Sequence, residues 1–252
     1  MKKIVLLLCS AFILASCDKD DDIITSFEQS TVTDCDGNEY RTVKIGDQWW
    51  MAENMRATKY DTESSQAGTV IALASQMGGY YTPYYTRIMP TTNSIVGGIN
   101  LSVNLSVEQR AKIGHLYNWA AAMGVETGEV EAGPEGRQQG ICPNGWHIPT
   151  DSEWTTLTDY ISKNCEGKYK TSTGWFENAS PTEGDAAFAV LPAGFSQGRI
   201  INYLGSSTVF LSATDADQRY SMTARYFSFK DEYITIYPEM KRMGVSVRCV
   251  KN

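Results

Sequence analysis

The chain has 252 residues, with 22 Lys and Arg against 29 Asp and Glu, a formal charge of −7 at pH 7 and 42% hydrophobic residues. That length buries a substantial core and suits one large domain, while the acidic balance argues against nucleic acid as a direct partner. Only two histidines, His115 and His147, are present and no C-x-x-C pair occurs, so neither a metal site nor another cofactor is expected.

The N-terminus, MKKIVLLLCSAFILASC, has a basic start at Lys2 and Lys3, an apolar stretch from Ile4 to Leu14, and small residues at Ala15 and Ser16. This is the pattern of a secretory signal, and the stretch is too short for a spanning helix. Leu14-Ala15-Ser16-Cys17 resembles the lipobox of bacterial lipoproteins, which implies acylation of the Cys17 thiol and removal of residues 1–16. Each methylene of the acyl chains adds about 0.8 kcal/mol of membrane binding. Residues 17–30 then form an acidic tether, opened by Asp18-Lys19-Asp20-Asp21-Asp22 and too polar to fold. That run resembles the export signal of surface lipoproteins in the Bacteroidetes, which implies lipid anchoring in the outer membrane and display at the cell surface.

Cys9 leaves with the signal, so Cys35, Cys142, Cys165 and Cys249 remain in an oxidising compartment. Four cysteines there predict two disulfides, with three connectivities open. Residues 32–60 contain two β-prone runs, Tyr40 to Ile45 and Gln48 to Met51, around a hairpin turn at Gly46-Asp47. From Thr62 to Ser106 the chain is rich in Gly, Ser, Thr and Tyr and predicts loops with short strands. Within it, Tyr80, Tyr81, Tyr84 and Tyr85 are the candidate ligand-binding residues, as a platform on which sugar rings stack; the competing reading packs the same rings into the interior.

Ser106 and Gln109 have capping-box spacing, and Tyr117 to Met123 predicts a short helix ended by Gly124. In CPNGWHIPTDSEW (142–154), Pro149 imposes an extended approach, Thr150 is a helix N-cap with Glu153 as its reciprocal partner, and Asp151 favours the positive helix end. Trp154, Leu157 and Ile161 then share one face of a helix from Asp151 to Lys163. Trp146, Pro149, Thr150, Glu153 and Trp154 are therefore read as a structural motif, not as a metal or acid–base site with His147.

Residues 194–198, GFSQG, match the G-x-S-x-G of an esterase nucleophile elbow. No histidine follows Ser196, and the next segment, RIINYLGSSTVFLS, is β-branched and glycine-broken where the elbow needs a helix. Gly194 and Gly198 instead predict a chain reversal with Ser196 as a polar turn residue, and no catalytic set is expected. Short strands follow, with alternation clearest in Tyr233–Tyr237 and Val245–Cys249.

Five phrases in order, DGNEYRTVKIGDQWWMAENM, GHLYNWAAAMG, CPNGWHIPTDSEWTTL, FAVLPAGF and GVSVRCVK, resemble the Fibrobacter succinogenes major paralogous domain, a family of secreted and lipid-anchored bacterial proteins. The resemblance covers residues 31–252 as a single domain with an inserted loop segment near 62–112. It implies Cys142–Cys249 as the family's own staple and Cys35–Cys165 as an added pair, and it implies no assigned chemistry. PTDSEW further resembles the helix start of the C-type-lectin-like fold, including the formylglycine-generating enzyme group, without the calcium-site triplets of sugar-binding lectins. The expected fold is α+β and C-type-lectin-like, with short antiparallel strands, one main helix over 151–163 and long loops. The expected function is a non-enzymatic binding or adhesion module for a glycan or a host or matrix protein. A subunit of a surface appendage or glycan-uptake complex comes second, and a hydrolase or formylglycine-generating-like enzyme third.

Overall fold

A computed structural model describes residues 27–74, 83–89, 91–96, 99–104, 106–125, 137–164, 188–215, 220–228 and 234–252. The chain opens on an antiparallel meander of β1 (Gln29–Thr33), β2 (Glu39–Ile45) and β3 (Gln48–Met51). Asp34 shapes the first turn: Oδ1 accepts the N–H groups of Asp36 and Asn38, each at 2.9 Å, and Oδ2 accepts the Tyr40 hydroxyl at 2.6 Å. The second turn is tight, and Gly46 supplies its left-handed residue (φ 60°), pairing Ile45 with Gln48.

The segment near 62–112 contains β4 (Ala72–Leu73), β5 (Tyr84–Arg87), β6 (Thr91–Val96), β7 (Ile99–Asn104) and most of α1 (Val107–Ile113). The α1 cap is reciprocal, with the Gln109 N–H on Ser106 Oγ at 3.1 Å and the Ser106 N–H on Gln109 Oε1 at 2.9 Å. Next come β8 (His115–Tyr117) and α2 (Trp119–Met123). The helix thus begins two residues later than predicted. Tyr117 exchanges backbone bonds with Val245, and the Asn118 side chain caps α2.

The second half holds β9 (Trp146–His147), α3 (Asp151–Asn164), β10 (Phe195–Gln197) and β11 (Ile200–Asn202). It ends with β12 (Ser207–Asp215), β13 (Ser221–Ser228), β14 (Thr235–Met240) and β15 (Val250–Lys251). Four small sheets result, ordered β1-β2-β3-β15-β9, β10-β11-β6-β7, β12-β13-β14 and β4-β5-β8.

This architecture overturns the expected α+β, C-type-lectin-like class with one main helix. Strands take 43% of the structure and helices 15%, spread over several small sheets and three short helices. Only the α3 window carries apolar residues at helical spacing for more than two turns, whereas turn residues cut most of the remaining chain into short strands. Trp154 of α3 packs against Trp50 and Phe210 with ring centroids 5.0 and 5.5 Å apart, which joins the first sheet, the helix and β12 in one aromatic cluster.

The C-terminal segment differs from its reading as an alternating strand. Val245, Ser246, Val247, Arg248 and Cys249 are all buried, because the segment threads between sheets. Gly244 bridges to Ser196, Val245 to Tyr117 and Ser246 to Phe210, and Val250 pairs with both Trp50 and His147. Polar residues on this path need internal partners. Arg248 finds them in Asn54 Oδ1 at 2.8 Å, the Ala189 carbonyl at 2.9 Å and the Phe188 carbonyl. Cys142 and Cys249, the pair implied by the family resemblance, are joined by a disulfide with a sequence separation of 107. Cys35 is a free thiol directed at the Lys59 carbonyl, and Cys165, its expected partner, lies outside the described residues.

Candidate functional site

A set of buried polar contacts fixes the elements around a cleft lined by described residues. Asn54 donates to the Ile113 carbonyl at 2.9 Å and to Ser246 Oγ at 3.2 Å while accepting from Arg248. It thereby ties the end of α1 to the segment after β3 and to the C-terminus. The His115 N–H then donates to the Met55 carbonyl at 2.9 Å. This close approach requires glycine at 114: φ is 74°, and a Cβ there would lie 2.4 Å from the Met55 carbonyl oxygen. The end of α1 and the start of β8 are consequently fixed by these contacts.

The cleft measures about 420 Å³, within the range of small-molecule sites. Asp36, Asn38, Arg56 and Thr58 form one part of its lining, and Arg87, Ile88, Val107, Arg110, Ala111, Gly114 and His115 the rest. Asp36 is occupied: it sits 3.4 Å from the Lys59 ammonium and accepts from Thr58 N–H and Oγ1. Arg56 is also held, by the Glu39 carbonyl at 2.6 Å, by Glu53 at 3.4 Å and by the Tyr40 ring beneath its guanidinium. Arg87 and Arg110 make no side-chain hydrogen bond or ion pair among the described residues.

Register explains how Arg87 meets the histidine. In the antiparallel β5–β8 pair, Arg87 stands opposite His115 and Tyr85 opposite Tyr117. The His115 ring stacks on Tyr85 with centroids 4.9 Å apart. Burial, followed by the Arg87 charge, pushes the His115 pKa down to about 4, so the imidazole is neutral at pH 7. His115 Nδ1 and Arg110 Nε are both shut off from solvent without a hydrogen-bond partner.

The sequence-predicted positions fall elsewhere. Tyr80 and Tyr81 lie outside the described residues. Tyr84 and Tyr85 are buried and form no exposed stacking platform: the Tyr84 hydroxyl donates to the Arg242 carbonyl, and Tyr85 lies beneath His115. Cys17 is also outside the described residues.

Trp146, Pro149, Thr150, Glu153 and Trp154 come together at the start of α3. Thr150 N–H and Oγ1 each donate to Glu153 Oε2 at 2.8 Å, and the Glu153 N–H donates to Thr150 Oγ1 at 3.3 Å. His147 Nε2 lies 2.8 Å from Glu153 Oε1, and its Nδ1 lies 2.6 Å from Asn252 Oδ1. Burial raises the Glu153 pKa, but hydrogen bonds from His147 and Thr150 outweigh it and hold the carboxyl below its ordinary range. Asp151 pairs with Arg225 at 2.5 Å. The carboxylates of this motif are thus engaged within the fold.

Ser196 is not the polar turn residue expected from GFSQG. It sits in β10, fully buried, and its hydroxyl donates to Thr86 Oγ1 at 3.0 Å, while Gly198-Arg199 makes the turn. Sequence reasoning missed Arg56, Arg87, Arg110 and His115. The available signal was the period of two in Tyr85-Thr86-Arg87, which places Tyr85 and Arg87 on one strand face. Its pairing with a strand about 30 residues away had no local marker.

Fold and cleft together define a mostly β, disulfide-closed domain with a small-molecule-sized, arginine-lined depression. The chain belongs to the Fibrobacter succinogenes major domain family, whose model matches residues 43–251. No curated protein and no solved structure matches it.

Proposed function

We propose that the protein is a lipid-anchored outer-membrane module, displayed at the cell surface, that binds a glycan or protein ligand and carries out no reaction of its own. The observation that carries this reading is a ligand-sized cleft whose lining includes two guanidiniums, Arg87 and Arg110, with no side-chain hydrogen bond or ion pair among the described residues. Such a surface suits recognition, because the scaffold beneath is fixed while the side chains above remain available. The anchor reading rests on Leu14-Ala15-Ser16-Cys17 and the acidic tether after it.

A non-enzymatic role is supported by what the reactive groups do. The Ser196 hydroxyl is buried against Thr86, and Glu153 is committed to the α3 cap and His147. Burial, followed by the charges of Asp61 and Asp36, raises the Cys35 pKa and disfavours its thiolate. The test is a glycan and matrix-protein binding screen on the full-length protein in a sugar-free detergent, together with radiolabelled palmitate incorporation and protease shaving of intact cells. Ligand binding that maps to the cleft, with labelling lost in Cys17→Ala, is the expected result. No ligand at millimolar sugar or micromolar protein refutes the binding reading, and unlabelled wild type refutes the anchor.

One observation favours the assembly role as a second reading. Ile236 and Tyr237 are 50% and 54% exposed on β14, the edge strand of β12-β13-β14. A co-purifying surface partner lost in Ile236→Lys/Tyr237→Lys would favour it over small-ligand binding.

A further inference from the structure

We infer that the cleft recognises an oxyanion, a carboxylate or sulfate group on a small polar ligand, through the guanidiniums of Arg87 and Arg110. This rests on the reading of the cleft as the ligand site and names the chemistry that would occupy it. Four formally charged side chains line the cleft, and the fold neutralises or engages two of them. Asp36 is matched by Lys59, and Arg56 by the Glu39 carbonyl and Glu53. The two that remain are both guanidiniums, in a chain whose net charge is −7. An acidic protein that concentrates unmatched positive charge in one depression favours an anion there over the rest of its surface.

The two fully buried arginines are instead engaged within the fold. Arg225 is held by Asp151, and Arg248 by Asn54 and two carbonyls. The planar guanidinium fork suits a carboxylate or sulfate, whose oxygens accept two parallel N–H bonds. Arg110 Nε, on a guanidinium that lines the cleft, has no hydrogen-bond partner among the described residues and so keeps its donor capacity for one. His115 is neutral at pH 7 under burial and the Arg87 charge, so the positive charge of this wall belongs to the guanidiniums. At about 420 Å³ the cleft exceeds what a bare ion fills, and Ile88, Val107 and Ala111 offer an apolar surface for a carbon skeleton. The oxyanion is therefore the handle of a small organic ligand.

The test is a titration of the full-length protein, in a sugar-free zwitterionic detergent at pH 7 and constant ionic strength. Sodium acetate, sodium sulfate and glucuronate are the probes, with sodium chloride and glucose as controls. The readout is the arginine Nε–Hε and backbone amide resonances of Arg87, Arg110 and His115. Saturable shifts with acetate or sulfate, and at least ten-fold tighter binding of glucuronate than of glucose, are expected; the stronger of acetate and sulfate identifies the group carried. Arg87→Gln/Arg110→Gln should weaken the anion at least ten-fold and leave the unfolding midpoint unchanged, since neither side chain bonds to another described residue. Anions that shift these resonances no more than chloride overturn the inference. If glucose or another neutral ligand saturates the same resonances in that case, the cleft stands as a ligand site and only the oxyanion assignment falls. If no ligand reaches them, both readings fall together.

Discussion

Replacing Arg248 with methionine tests whether the buried guanidinium holds the C-terminal segment to the core. The change removes three donors and leaves Asn54 Oδ1 and the Phe188 and Ala189 carbonyls without their partner. Each orphaned buried acceptor costs roughly 1–3 kcal/mol. Against this, the variant no longer buries a charge. That burial is substantial, since it pushes the Arg248 pKa down to about 9 and no carboxylate bonds to the group. The methionine also loses the stacking of the guanidinium on Phe188, 4.4 Å from the ring centroid. A net destabilisation of about 3–5 kcal/mol is expected, read as a lower urea midpoint at unchanged slope. Arg248→Lys separates charge from geometry: one ammonium cannot reach three divergent acceptors, so it should lose at least about 2 kcal/mol. A loss below about 1 kcal/mol in Arg248→Met, or wild-type stability in Arg248→Lys, would refute the clamp.

Removing the disulfide with Cys142→Ala/Cys249→Ala should destabilise by about 2–5 kcal/mol, because the bridge spans a separation of 107 residues; equal urea midpoints for variant and parent would show that it constrains nothing. Lowering the pH from 6.5 to 4 should remove about 2–3 kcal/mol through His115. Its folded pKa of about 4 lies below the unfolded value near 6.5, so the unfolded chain binds the extra proton in that window. The stability is present above pH 6.5 and lost as the pH falls through 4, and the acid limb should flatten in His115→Phe; superimposable pH profiles would rule this out. Gly244→Ala brings a Cβ within 2.1 Å of Ser196 Oγ and should cost about 1–3 kcal/mol. Ser196→Ala in the same chain should recover part of that loss, and strictly additive effects in the double-mutant cycle would contradict the contact.

The parts of the fold that were legible are those whose cause lies within a few residues. Thr150 and Glu153, and Ser106 and Gln109, are capping pairs three residues apart, and both boxes form. The Gly46 hairpin is equally local. Long-range pairing was not legible. Val250 sits between Trp50 and His147, and nothing in VRCVK distinguishes an edge strand from a segment buried on every side. Tyr84 and Tyr85 looked like a surface because tyrosine suits both environments, and only the pairing of β5 with β8 turns them inward. The arginines of the cleft carry no motif at all. Arg87 and Arg110 lie 23 positions apart, on a strand and a helix, and converge on the cleft that both line.

That convergence separates the frame from the groups placed to read a ligand. Asn54, Gly114, Phe188 and Arg248 come from four of the five phrases that carry the family resemblance, and they meet in one connected set of hydrogen bonds and close backbone contacts. Cys142 and Cys249, from two of the same phrases, close the frame covalently. Arg87 and Arg110 come instead from the segment near 62–112, between the first and second of those phrases. Replacing the two arginines would alter the charge of the cleft while leaving the Asn54–Arg248 set intact, because neither side chain bonds to it. A frame of this kind tolerates changes in recognition at little cost in stability. Family membership therefore identifies how this chain is built, and the segment near 62–112 supplies the two arginines on which the proposed recognition rests.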